Sequence, residues 1–179
     1  MKIDWKTIDT KELAAIVIST LKEKDIDAVL VGGACINIYS YNKFMSYDLD
    51  FVSHGKEKDI SKVLTGLGFK KKESRHFIRD DCPFFVEFVS PPLAIGNEPV
   101  KTCEKIDTPQ GTIILLTPTD CVKDRLASYY HWNDPQALNQ AIAVVKDQEV
   151  DLKEVKRWSI KEGHGEKFKE FIAYIKMHG

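Results

Sequence analysis

The chain has 179 residues, 43% of them hydrophobic and 30% charged, a size and balance suited to one good core with a helical extension. Its 26 Lys and Arg against 27 Asp and Glu give a formal net charge of −1, which excludes a global basic field for nucleic acid, so any such contact is local. No segment reaches the roughly 20 apolar residues that span a bilayer, and Met1-Lys2-Ile3-Asp4-Trp5 carries charge where a signal peptide is apolar. A cytoplasmic protein with no membrane partner is expected.

In chain order, Thr10 to Lys24 is expected to form an amphipathic helix, with Leu13, Ile16, Val17 and Leu21 at helical spacing. A strand from Asp27 to Val31 leads into Gly32-Gly33 and a short helix, Ala34 to Tyr41. Glycines where a strand turns into a helix let backbone N–H groups approach a phosphate, because no Cβ intervenes. Asn42 to Tyr47 is a loop, Asp48 to Ser53 a second strand, and Lys56 to Leu67 a helix stopped by Gly66 and Gly68. From Phe69 to Val89 the pattern turns to β, with a segment around His76–Arg79, a turn at Asp80-Asp81-Cys82-Pro83 and a strand Phe84–Val89 that Pro91-Pro92 terminates. Lys105–Asp107 and Thr112–Leu116 form a further hairpin across Thr108–Gly111. Thr117-Pro118-Thr119-Asp120 is a helix entry, and helices are expected over Pro118–Trp132, Asp134–Gln148, Leu152–Lys161 and Glu166–Met177. The chain is therefore α+β, a core over 1–116 followed by a helical region over 117–179.

Cys35, Cys82, Cys103 and Cys121 are widely spaced without a C-x-x-C pair, as befits small hydrophobes in a reducing compartment. His54, His76, His131, His164 and His178 show no metal-ligand spacing. Asp48 and Asp50, at i and i+2 on a strand, point to one face about 7 Å apart. Alone, such a pair also describes a solvated strand edge. Glu87 stands among Phe84, Phe85, Val86, Phe88 and Val89; it either faces outward on a half-exposed strand or requires a partner or a cation.

The combination of Gly-Gly after a strand, Asp-x-Asp on the next strand and an acid on a later one resembles the nucleotidyltransferase superfamily built on the polymerase-β-like fold. Gly32, Gly33, Cys35 after Ala34, Ser46, Asp48 and Asp50 further resemble the small bacterial branch grouped with AbiEii-type toxins. That branch often carries Arg four positions before the first Asp; here Phe44 stands there, with Lys43 one place earlier. The resemblance covers about Asp27 to Val89 well and the helices from Pro118 more loosely.

The resemblance implies a mixed-sheet core flanked by helices and transfer of an NMP from an NTP such as ATP to an acceptor hydroxyl. It implies Asp48, Asp50 and Glu87 as catalytic ligands of Mg2+, two ions about 3.5–4 Å apart, with Glu87 nearer the acceptor. Gly32 and Gly33 are the implied holders of the β/γ-phosphates, with Ser46 as an extra donor. Lys123, then Arg125, are the implied counter-charges on the following helix, although residues at i and i+2 do not share a helical face; pairing of Arg125 with a neighbouring acid is the competing role. Tyr129-Tyr130-His131-Trp132-Asn133-Asp134 either contacts a base or closes a helix end on the core. Lys70, Lys71, Lys72, Arg75 and Arg79 either solvate a hairpin or make a track for an RNA acceptor. The acceptor class (small molecule, RNA or protein) and the oligomeric state are not written in these residues. A rival from another class is a non-catalytic nucleotide-binding or partner-binding component of a toxin–antitoxin or phage-defence pair; a third is a structural domain that binds neither.

Overall fold

A computed structural model describes residues 3–178, without the side chain of His178. The expectations for Met1-Lys2 and for His178 as a ligand lie outside the described residues. None of the described helices is long and apolar enough to cross a membrane.

Helix α1 (Thr10–Lys22) opens with a reciprocal cap, in which the Asp9 carboxylate accepts from the Glu12 amide at 2.7 Å and Glu12 accepts from the Asp9 amide at 3.2 Å. It ends two residues earlier than expected, because Asp25 turns the chain at φ 57°. Strand β1 (Val29–Val31) follows, then α2 (Gly33–Tyr39), β2 (Asp48–Val52) and α3 (Glu57–Gly66). The β region contains β3 (Lys70–Glu73), β4 (His76–Ile78) and β5 (Phe85–Val89). A small hairpin follows, β6 (Ala94–Ile95) with β7 (Glu98–Pro99), and then a long one, β8 (Cys103–Thr108) with β9 (Gly111–Leu116). The chain ends in α4 (Pro118–Trp132), α5 (Pro135–Asp147), α6 (Leu152–Lys161) and α7 (Gly165–His178). Pro stands in the first turn of α4 and α5 behind Thr117 and Asp134 caps.

Seven strands form one mixed sheet in the order β3-β4-β5-β2-β1-β9-β8, so the fold is the α+β class expected. Its centre carries the site. β2 runs antiparallel to β1 and parallel to β5, and β1 runs parallel to β9. The parallel step from β2 to β5 requires a crossover, supplied by α3 and the β3–β4 hairpin. Alternation sends Leu49, Phe51, Val86 and Phe88 into the core. There Phe51 stacks on Phe88 at 5.6 Å and Phe77 meets Phe88 edge-on at 6.2 Å. Helix α1 packs along β9 and against α2 and α3, while α4 contacts α5, α6, α2 and the β6 strand. The Tyr39 hydroxyl ties α2 to the sheet by donating to the Leu116 carbonyl at 2.6 Å.

Candidate active site

Asp48 and Asp50 occupy alternate positions of β2, and the parallel pairing sets Asp50 opposite Glu87 and Asp48 opposite Phe85. The antiparallel β4–β5 pairing sets His76 opposite Glu87. Residues opposite one another share a face, so Val31, Asp50, Glu87 and His76 form one row across four strands. The His76 Nδ1 lies 4.0 Å from the Glu87 carboxylate. Burial, together with the charges of Glu87 and Asp48, raises the Asp50 carboxyl pKa to about 6, against a smaller opposing pull from Arg125.

Gly32 holds φ 66° and ψ −147° at the entry to α2, a conformation reserved for glycine. A Cβ there would come within 2.8 Å of Asp50 Oδ2, so its backbone lies directly against the carboxylate. A Cβ on Gly33 would meet Ser46 Oγ at 2.9 Å. Ser46 donates to the Asp48 carbonyl at 3.0 Å, placing its hydroxyl between the glycine turn and β2. Gly32, Gly33, Ser46, Asp48, Asp50 and Glu87 are thus neighbours in the fold.

The two bases of α4 part company. Arg125 lies close enough to Asp50 to act on its charge and contacts Asp124, with Nε 3.0 Å from Oδ2. Burial works against the guanidinium charge, yet the adjacent Asp124 outweighs it and the Arg125 pKa is raised. Lys123 is buried and turned the other way, 2.8 Å from Glu154 of α6 and 3.2 Å from Asp120. Of the two, Arg125 is the base near Asp50, while Lys123 is engaged by Asp120 and Glu154. Helical periodicity explains the difference: Arg125 is four residues after Cys121, which contacts Cys35 of α2, and so faces the glycine turn.

The donor chemistry suits a hard divalent cation, since carboxylate oxygens from adjacent strands share one face and Asp50, raised first by burial and then by the charges of Glu87 and Asp48, lacks a fully compensating cation among the described residues. The carboxylates do not converge on a point: among the described residues no three His, Cys, Asp or Glu side chains are gathered at ligating separation.

Other expected groups have structural partners. Lys43 pairs with Asp147 at 2.7 Å. In the α4 end, Tyr130 is buried between Trp158 and His164, and its hydroxyl lies 2.8 Å from that of Ser159. Tyr129 donates to Glu170 at 2.7 Å, and Lys167 closes the helix on the Tyr130 carbonyl at 2.7 Å. Tyr129 and Tyr130 thus close a helix end, while Trp132 stays exposed. Asn37, the one polar residue in the Ala34–Tyr39 run besides Cys35 and Tyr39, is buried and donates to the Phe44 carbonyl at 3.0 Å, shaping the loop that delivers Ser46. His76 joins the row only through strand register, which no local motif announces.

The fold is similar to that of solved structures described as nucleotidyltransferases or nucleotidyltransferase-like. It is similar to an antigenic nucleotidyltransferase-like protein from Paracoccidioides brasiliensis, with a TM-score of 0.59 and 14% identity over 80% of this chain and 78% of that one. It is also similar to the solution structure of the antibiotic-resistance factor ANT(2'')-Ia, with a TM-score of 0.58 and 12% identity over 97% of both chains. No protein-family model and no curated protein sequence matches the chain.

Proposed function

We propose that the chain is a metal-dependent nucleotidyltransferase that moves an NMP from an NTP to an acceptor hydroxyl. The observation that carries this reading is the register of β2 and β5, which faces Asp50 with Glu87 beside the Gly32 turn. Asp48, Asp50 and Glu87 would hold Mg2+, whose charge neutralises the triphosphate and leaving pyrophosphate. Backbone N–H groups at Gly32 and Gly33 cradle the β/γ-phosphates, with Ser46 as a further donor and Arg125 as counter-charge. The acceptor oxygen forms a bond to the α-phosphorus while the bond from that phosphorus to the bridging oxygen breaks. Pyrophosphate leaves with the electron pair, and Glu87 accepts the hydroxyl proton. Residues 1–116 carry this centre and 117–179 close it through α4.

The experiment supplies each α-labelled NTP with Mg2+ and a cell extract. A labelled acceptor with wild-type protein, and none with Asp48→Asn or Asp50→Asn variants that retain their fold, is the expected outcome. Transfer that persists in both purified variants refutes the assignment. The exposed side chains of Tyr41, Met45 and Tyr47 beside β2 favour a second reading, a nucleotide-binding or partner-binding component of a toxin–antitoxin or phage-defence pair, as in the AbiEii-type branch. Thermal stabilisation by NTP and Mg2+ without pyrophosphate release selects that reading.

A further inference from the structure

Beyond Glu87, on the side away from Asp50, the sheet opens into a groove of about 570 Å³ between the β3–β4 hairpin and the end of β5. Glu87, His76, Lys72, Arg75 and Ser90 are among the residues that line it; Asp48, Asp50, Gly32 and Gly33 do not border it. The groove therefore meets the carboxylate row at the opposite end from the glycine turn. A molecule seated there reaches Glu87 without occupying the space over Gly32.

The charges of the hairpin are distributed unevenly. Lys70 pairs with Asp80, Lys71 with Glu57, and Arg79 reaches Asp81 at 3.2 Å while lying 4.3 Å above the Trp5 ring. These three are compensated, so the five bases do not form a continuous track. Lys72 and Arg75, the two that border the groove, pair with no carboxylate among the described residues, and Arg75 has only the Ser90 hydroxyl at 3.3 Å. Glu73 also borders the groove, so its attraction for anions rests on these two donor groups rather than on net charge. A guanidinium and an ammonium together suit a phosphate, which accepts several charge-assisted hydrogen bonds. The His76 ring, 5.5 Å from that of the exposed Phe85, adds a flat, partly apolar wall.

We propose that this groove is the acceptor subsite and that it takes a phosphorylated sugar, the phosphate on Lys72 and Arg75 and the reacting hydroxyl towards Glu87. The assignment rests on the transferase reading above. The phosphate belongs either to a nucleotide chain or to a free sugar phosphate, and the test separates these sources.

The probes are ribose 5-phosphate, a labelled octamer of oligoadenylate and a polycationic aminoglycoside, added to the full chain. Binding is followed by anisotropy for the octamer and by thermal shift for the small molecules, alongside the thermal shift with NTP and Mg2+. At least one phosphate probe is expected to bind, about tenfold more weakly to the Lys72→Ala/Arg75→Ala double variant, with affinity recovered in Lys72→Arg/Arg75→Lys. The NTP shift stays unchanged in all three proteins. Binding of ribose 5-phosphate identifies the free sugar phosphate as sufficient; binding of the octamer alone identifies the nucleotide chain. Equal affinity in the double variant, no binding of either phosphate probe, or preference for the aminoglycoside overturns the proposal alone. Failure of NTP and Mg2+ to stabilise the wild-type chain overturns the transferase reading and the acceptor role together.

Discussion

Gly32 meets two demands that no other residue satisfies together, a positive φ and space for a carboxylate at its Cα. Gly32→Ala is expected to lose about 2 kcal/mol in denaturant unfolding, with Gly33→Ala milder because Ser46 Oγ is the movable end of a side chain. A Gly33→Ala variant as unstable as Gly32→Ala contradicts this account. Asp50 carries the opposite kind of strain. Its carboxyl pKa is about 6 rather than 3.8, so the folded chain holds a proton that the unfolded chain releases, and metal-free stability falls as pH rises through that interval. Asp50→Asn removes the penalty. In chelator it should gain on the order of 2 kcal/mol above pH about 6 and nothing at pH about 4, and parallel pH profiles for the two proteins refute it. These residues were legible because an acid in an apolar strand and paired glycines at a strand end each carry a cost that calls for compensation. The choice between Lys123 and Arg125 was not, since it depends on which face of α4 meets α2.

Among the elements, α4 divides its two bases between two tasks. Lys123 joins α4 to α6 through Glu154, and burial makes its removal costly to Asp120 and Glu154. Lys123→Met is expected to cost about 1–3 kcal/mol, reduced from the fully buried case because Glu154 is partly exposed, while NTP with Mg2+ still raises its Tm. Arg125→Gln is expected to weaken that NTP response, and the reverse pattern assigns the counter-charge to Lys123. The β6–β7 hairpin shows why some elements escape the sequence. Its strands are two residues each, too short for alternation, and its position comes from distant groups: Trp158 donates to the Ile95 carbonyl at 3.3 Å, and Glu98 pairs with Arg157 and Lys161. Hydrogen bonds from those two bases lower the Glu98 pKa to about 2. Strand β3 lies within the Phe69–Val89 region read as β, but its bounds were not legible, because its Lys70–Glu73 run is exposed throughout and carries no hydrophobic period.

In the molecule as a whole, long periodic segments and the α+β order were legible, whereas the strand order was not, because pairing joins residues far apart in the chain. Asp50 and Glu87 meet through a crossover that spans α3 and the β3–β4 hairpin. Changes in chain length therefore act very differently in the two parts. One alanine inserted in the Asp80–Pro83 turn is taken up locally, and thermal stabilisation by NTP and Mg2+ should survive it. One alanine inserted between Val86 and Glu87, with the Asp48–Phe85 pairing held, turns Glu87 to the opposite face and should abolish Mg2+-dependent transfer; equal transfer by both insertions denies the importance of register. The loops of the crossover between Val52 and Phe85 are thus where a change of chain length is expected to leave the β2–β5 pairing intact. On the proposed reading, the groove beside Glu87, whose lining residues Lys72 and Arg75 lie on that crossover, can change its occupant while β2 and β5 keep their lengths.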